Sequence, residues 1–176
     1  MYTTDTLLIS CGCNQFALAN LSQDSSNEGA PSGEEAQRAS MTISEALAAC
    51  LTQAVRERRV ASGVLDCAKL LGCRPGRVML CILPEVRQHD VAVHIEHVLI
   101  RSFCKENDIR LLTVKDEQRL TELVTPNGES QESYVSCLLV ESPVDGQSEA
   151  DEFVCGYHDV IMARDILPKP VIQLPD

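Results

Sequence analysis

The sequence contains no apolar run near the ~20 residues that a membrane-spanning helix requires, so no segment is expected to cross a bilayer. Its first residues, MYTTDTLLISCGC, have no basic segment and only a few consecutive apolar residues, which predicts no secretory signal. No GxGxxG and no P-loop string is present, which removes the two commonest glycine-rich phosphate cradles. Without a GxSxG elbow there is no hydrolase-type nucleophile turn, and without a CxxC pair a structural zinc site is not expected. Bases are scarce: 15 Lys and Arg face 26 Asp and Glu, for a net charge of -11. A charge of that sign repels nucleic-acid phosphate.

The acidity is uneven. Residues 1–40 hold five acids and one base, residues 41–124 eleven acids and twelve bases, and residues 125–176 ten acids and two bases. Nine cysteines, an odd number without a framework, predict reduced thiols in the cytosol or nucleus. Those in apolar runs, such as Cys81, Cys104 and Cys137, read as small hydrophobes. The length suits a disordered, polar tail over 1–40 followed by one domain over 41–176. Cys11 and Cys13 in the tail are two thiols without further ligands and are not read as a site.

The domain is organised around residues 90–114. A helix over about 90–107 runs into a strand at 109–114. Asp90, His94, His97, Arg101, Lys105 and Asp108 form one polar stripe at helical spacing. Val91, Ile95, Val98 and Leu99 line one flank, and Val93, Ile100, Phe103 and Cys104 the other. One apolar face suffices for packing on a core. The wider arc predicts either deep burial or a second flank that meets a partner.

Around this stretch, Thr42 or Ser44 caps a helix over 43–59, with Ile43, Leu47, Cys50, Leu51, Ala54 and Val55 as its buried stripe. Val60-Ala61 reads as a short extended link, and 64–72 as a second helix stopped by Gly72 and Pro75. Residues 77–83 form a continuous apolar run, expected for a central strand buried on both faces. A short helix over 115–124, a turn at Pro126-Asn127-Gly128, a strand over 134–142, an acidic loop over 143–151, a helix over 152–166 and a strand over 171–174 complete the chain. Helices alternating with buried strands predict a three-layer α/β/α sandwich on a mixed sheet of about four or five strands. No nucleophile, base and oxyanion site come together. His94 and His97 share a stripe with the cation Arg101 and read as a solvated helix face, so neither enzyme activity, cofactor nor metal is expected.

Three segments carry a resemblance. Leu99-Ile100-Arg101-Ser102-Phe103-Cys104-Lys105-Glu106-Asn107-Asp108-Ile109, Gly63-Val64-Leu65-Asp66-Cys67-Ala68-Lys69-Leu70-Leu71 and Val171-Ile172-Gln173-Leu174-Pro175 stand in the order found in the growth-arrest and DNA-damage-inducible (Gadd) stress proteins. The chain resembles that family over about 43–176. The resemblance implies an α/β/α fold shared with kink-turn-binding ribosomal proteins. It also implies a non-enzymatic adaptor of the nucleus and cytoplasm, active in DNA-damage signalling, growth arrest and apoptosis. The implied partners are a stress-activated MAP kinase kinase kinase, relieved of autoinhibition by binding, the sliding clamp PCNA, a cyclin-dependent-kinase inhibitor and the mitotic cyclin-B kinase. Dimerisation is implied through the second and third helices, which selects Cys67, Leu71, Ile95, Val98 and Leu99. Family members carry a dense acidic cluster after the first long strand. Here that loop keeps only Glu85 and Asp90, while acid gathers at Glu141, Asp145, Glu149, Asp151 and Glu152. The second group is therefore expected to supply the negative surface for basic partners. The alternative function implied is RNA binding of the kink-turn type. In its recognition segment, Gly63 and Lys69 are kept, but Leu65 replaces the amide that hydrogen-bonds bases. Arg56, Arg58, Arg59, Arg74 and Arg77 are the residues that would form a basic patch for it.

Overall fold

A computed structural model describes residues 41–86, 90–125 and 134–175. The expected tail, the Pro126-Asn127-Gly128 turn and most of the loop before residue 90 lie outside the described residues.

Thr42 starts the first helix, α1 (Ile43–Arg56), with a reciprocal capping box. Its hydroxyl accepts from the Glu45 N–H, and the Glu45 carboxylate accepts from the Thr42 N–H at 2.9 Å, which satisfies two donors a helix start leaves open. Ala46, Leu47, Cys50, Leu51 and Ala54 are buried, whereas Ile43 and Val55 lie half-buried at the margins of the stripe. Past the helix, Arg58 takes a left-handed φ of 57° and the Arg59 N–H returns to the Ala54 carbonyl, so the last turn closes without glycine.

Val60–Ser62 is a strand, β1, rather than a link; it pairs antiparallel with β4 (Leu138–Glu141). Helix α2 (Val64–Cys73) and a single 3-10 turn (Pro75–Arg77) lead into β2 (Val78–Pro84). Helix α3 (Val91–Glu106) and β3 (Arg110–Val114) follow, then α4 (Glu117–Val124), β4, α5 (Glu149–Ala163) and β5 (Val171–Ile172). The sheet order is β1-β4-β2-β3-β5, with β2, β3 and β5 parallel and β4 antiparallel to both neighbours.

Every residue of β2 is buried because both faces of the sheet are covered. Leu80 and Ile82 point into a core shared with α1, α4 and α5; Cys81 and Leu83 point into a second core under α2 and α3. The same two-residue period sorts Leu138 and Val140 of β4 from Leu139 and from Cys137, the residue just before the strand. The result is the expected three-layer α/β/α sandwich on a mixed five-stranded sheet.

The last helix begins three residues earlier than the sequence pattern suggests. Ser148 and Asp151 form a second capping box, so Glu149, Asp151 and Glu152 occupy the first turn of α5 instead of a loop. Acids there complement the helix dipole. Exposed Gly156 is carried inside the helix, at a cost of about 0.5–1 kcal/mol relative to Ala. The strands at 134–142 and 171–174 contract to four and two residues.

Candidate functional site

Helix α3 is fixed at both ends. Asp90 accepts from the Val93 N–H at 3.1 Å. At the other end, the Asn107 side-chain amide donates to the Phe103 carbonyl, Asp108 adopts φ 54°, and the Ile109 N–H returns to the Cys104 carbonyl. That is a Schellman-type stop, with Asp supplying the left-handed residue that is more often Gly. It turns the chain at once into β3 and fixes the rotation of α3 on the sheet.

In that rotation Ile100 and Cys104 are buried, and Val93 and Phe103 are half-buried. The opposite flank is in solvent: Val91 is 69% exposed, Ile95 54%, Val98 49% and Leu99 65%. Three of these lie at i, i+4 and i+7 and the fourth beside them, so they make one apolar ridge on the outside of the helix. Single exposed hydrophobics are ordinary; a contiguous set is the mark of an interaction face. Leu65 on α2 is more exposed still.

The polar stripe is not uniformly solvated. His97 is buried, and its Nε2–H donates to the Ser136 carbonyl at 2.7 Å, while Nδ1 is buried with no partner among the described residues. The expectation of a solvated face therefore holds for exposed His94 and fails for His97. The next helical turn places His97 over the second core, where Cys67, Cys81, Cys104 and Cys137 also lie. Hydrogen bonding to neighbouring thiols, together with burial, pushes Cys67 and Cys81 well above the ordinary thiol range. Such protonated, buried thiols pack rather than react.

A family model described as the ribosomal protein L7Ae/L30e/S12e/Gadd45 family matches residues 45–144, more than half of the chain. The chain belongs to this family. Among curated relatives it is 38% identical to mouse growth arrest and DNA damage-inducible protein GADD45 alpha over 117 residues, covering 60% of this chain and 71% of that one. It is 35% identical to human GADD45 alpha, covering 65% and 76%, and 36% identical to bovine GADD45 beta, covering 62% and 72%. These three relatives carry Gadd45 names.

Within this L7Ae/Gadd45 domain the sequence-selected residues separate. Ile95, Val98 and Leu99 stand together on the outer face of α3. Cys67 and Leu71 do not join them. Both lie in the core with Leu70, because α2 has one inward face at i, i+3 and i+4 and those residues occupy it. The large apolar side chain that α2 exposes is Leu65.

The acidic residues also separate. Glu85 is exposed just past β2, Asp90 is engaged in the α3 cap, and Glu149 and Glu152 are exposed on α5. Asp151 is fully buried, so its placement among partner-binding residues is corrected. Its Oδ2 accepts from the Ser148 N–H at 3.2 Å and from Arg59 Nη2 at 3.4 Å. Arg59 is itself buried and also reaches Glu57 at 2.5 Å and the Glu141 carbonyl at 2.8 Å. Arg77 pairs with Glu141 at 3.1 Å. Two of the five arginines of the expected basic patch, Arg59 and Arg77, are thereby neutralised. Lys69, in the segment that corresponds to kink-turn recognition, pairs with Asp66 at 3.1 Å.

Proposed function

We propose that this chain is a non-enzymatic stress-response adaptor of the Gadd45 type. It pairs with a second copy through the outer face of α3, binds and activates a stress-activated MAP kinase kinase kinase, and engages PCNA, a cyclin-dependent-kinase inhibitor and the mitotic cyclin-B kinase in the nucleus and cytoplasm. The observation that carries this reading is the exposed ridge Val91, Ile95, Val98 and Leu99 on a helix whose other flank already serves the core. Relatives named for growth arrest and DNA-damage induction support the stress-response setting.

Leu99→Glu tests it. Burying one Leu is worth about 1.5–3 kcal/mol, and a two-fold interface uses the residue from both copies. The variant is expected to remain folded, because Leu99 is already in solvent, and to sediment as a monomer at concentrations where the parent is a dimer. Titration of both proteins against the autoinhibitory N-terminal region of the kinase then shows whether pairing is needed. A parent that stays monomeric, or binds no such kinase, overturns the reading. RNA binding is the second reading. A kink-turn RNA retained in filter binding with a steep salt dependence would favour it.

A further inference from the structure

A groove of about 630 Å³ lies between the C-terminal half of α3, β3 and the C-terminal half of α5. Its charge is opposite to that of the chain. Arg101, Lys105, Arg110 and Lys169 line it, opposed by Asp108 and Asp159. Asp159 is already taken: Arg110 grips it with two hydrogen bonds of 3.0 and 2.9 Å, and His158 Nδ1 lies 3.1 Å from it. Among the described residues Arg101 donates to the Thr113 hydroxyl alone, and Lys169 lies against the Met162 sulfur. Among the described residues, neither these two nor Lys105 forms an ion pair. Three exposed cations therefore converge on one groove, with the lone carboxylate of Asp108 against them, in a protein of net charge -11. Between the cations the wall is apolar, with Leu111 and Met162.

We propose that this groove is a docking site for an acidic peptide segment of a partner protein, one that carries an apolar side chain between its carboxylates. The volume lies within the range of ligand-holding clefts, about 300–1,000 Å³. The cations supply charge-assisted hydrogen bonds to carboxylates, and Leu111 and Met162 receive the apolar side chain. A peptide fits better than a nucleic acid. Among the described residues no Phe, Tyr or Trp lines the groove to stack a base, and its one imidazole, His158, is turned to Asp159; the acidic body of the chain repels a long polyanion while tolerating a short segment. The proposal is independent of the α3 apolar ridge, since Arg101 and Lys105 stand on the flank of α3 beside it.

The test uses the full chain and a fluorescein-labelled peptide with a central Leu flanked by Asp and Glu, read by fluorescence anisotropy. Saturable binding is expected, weakening as salt rises. Lys169→Glu and Lys105→Glu are each expected to weaken it about tenfold or more, while Lys115→Glu, the same charge change on an exposed lysine outside the groove lining, leaves it nearly unchanged. Circular dichroism checks that each variant is folded. Absence of saturable binding up to about 1 mM peptide, or equal loss in Lys115→Glu, overturns the proposal. So does equal loss in Leu99→Glu, which would move the binding to the α3 ridge. A single-stranded RNA of matched charge that binds more tightly at the same groove would replace the peptide with nucleic acid.

Discussion

Replacing Asp151 with Ala separates a buried latch from an acidic docking surface. The carboxylate is wholly inaccessible, bonded to the α5 cap and to Arg59, whose side chain is only 8% exposed. Losing one partner of a buried pair costs about 3–5 kcal/mol, because the other charge is left behind. Here Arg59 keeps Glu57 and the Glu141 carbonyl, and the lost contact is long at 3.4 Å, which argues for the lower end. Loss of half the capping box adds at most about 1 kcal/mol. The expected destabilisation is about 3 kcal/mol. It is read as a lowered urea midpoint at unchanged slope and a melting temperature lower by roughly 10 °C. Glu152→Ala, one residue on and exposed, is expected to change stability by less than about 0.5 kcal/mol. An Asp151→Ala protein as stable as the Glu152→Ala one would refute the latch and return Asp151 to the surface.

Two further outcomes follow from the geometry. His97→Ala removes the donor to the Ser136 carbonyl and opens a void in the second core; a loss of about 2 kcal/mol or more is expected in urea unfolding, against little change for His94→Ala. Arg110 beside Asp159 holds that carboxyl below its ordinary value of 3.8. A folded pKa lowered in this way contributes stability above pH ~4 that disappears as pH falls through the lowered value. Asp159→Asn should therefore be less stable than the parent at neutral pH and converge with it in acid, by a modest margin because the pair is partly exposed. Parallel stability curves for the two proteins below pH 5 would contradict this assignment.

What could be read in advance divides by the distance over which a residue finds its partner. The cap at Thr42 or Ser44, the two-faced burial of β2 and the surplus apolar arc of α3 are legible, because each depends on spacing within one element; that the second flank of the arc faces solvent rather than the core is decided by the fold. Asp151 and His97 are buried by partners 92 and 39 residues away, whereas local periodicity scores them as polar and sends them outward. Cys67 and Leu71 are buried for a different reason. The apolar arc on α3 is wide enough to leave a second flank once the core is served, whereas Cys67, Leu70 and Leu71 fill the single inward face of α2. Val60-Ala61 reads as a link because so few residues carry too little pattern, and the pairing of Val60–Ser62 is decided by Leu138–Val140. The basic groove leaves no mark in the sequence because Lys169 joins Arg101 and Lys105 through the fold.

The apolar ridge on α3 sits on a molecule whose copies repel one another at long range, and the two effects respond differently to ionic strength. At physiological salt the repulsion fades beyond about 8 Å, while apolar contact is not screened and is strengthened by strongly hydrated salts. Self-pairing through Ile95, Val98 and Leu99 should therefore tighten as salt is added, whereas an acidic peptide held by Lys105 and Lys169 should be released. A single salt series thus tells which face of α3 a given partner occupies, and a low-salt buffer would underreport any dimer.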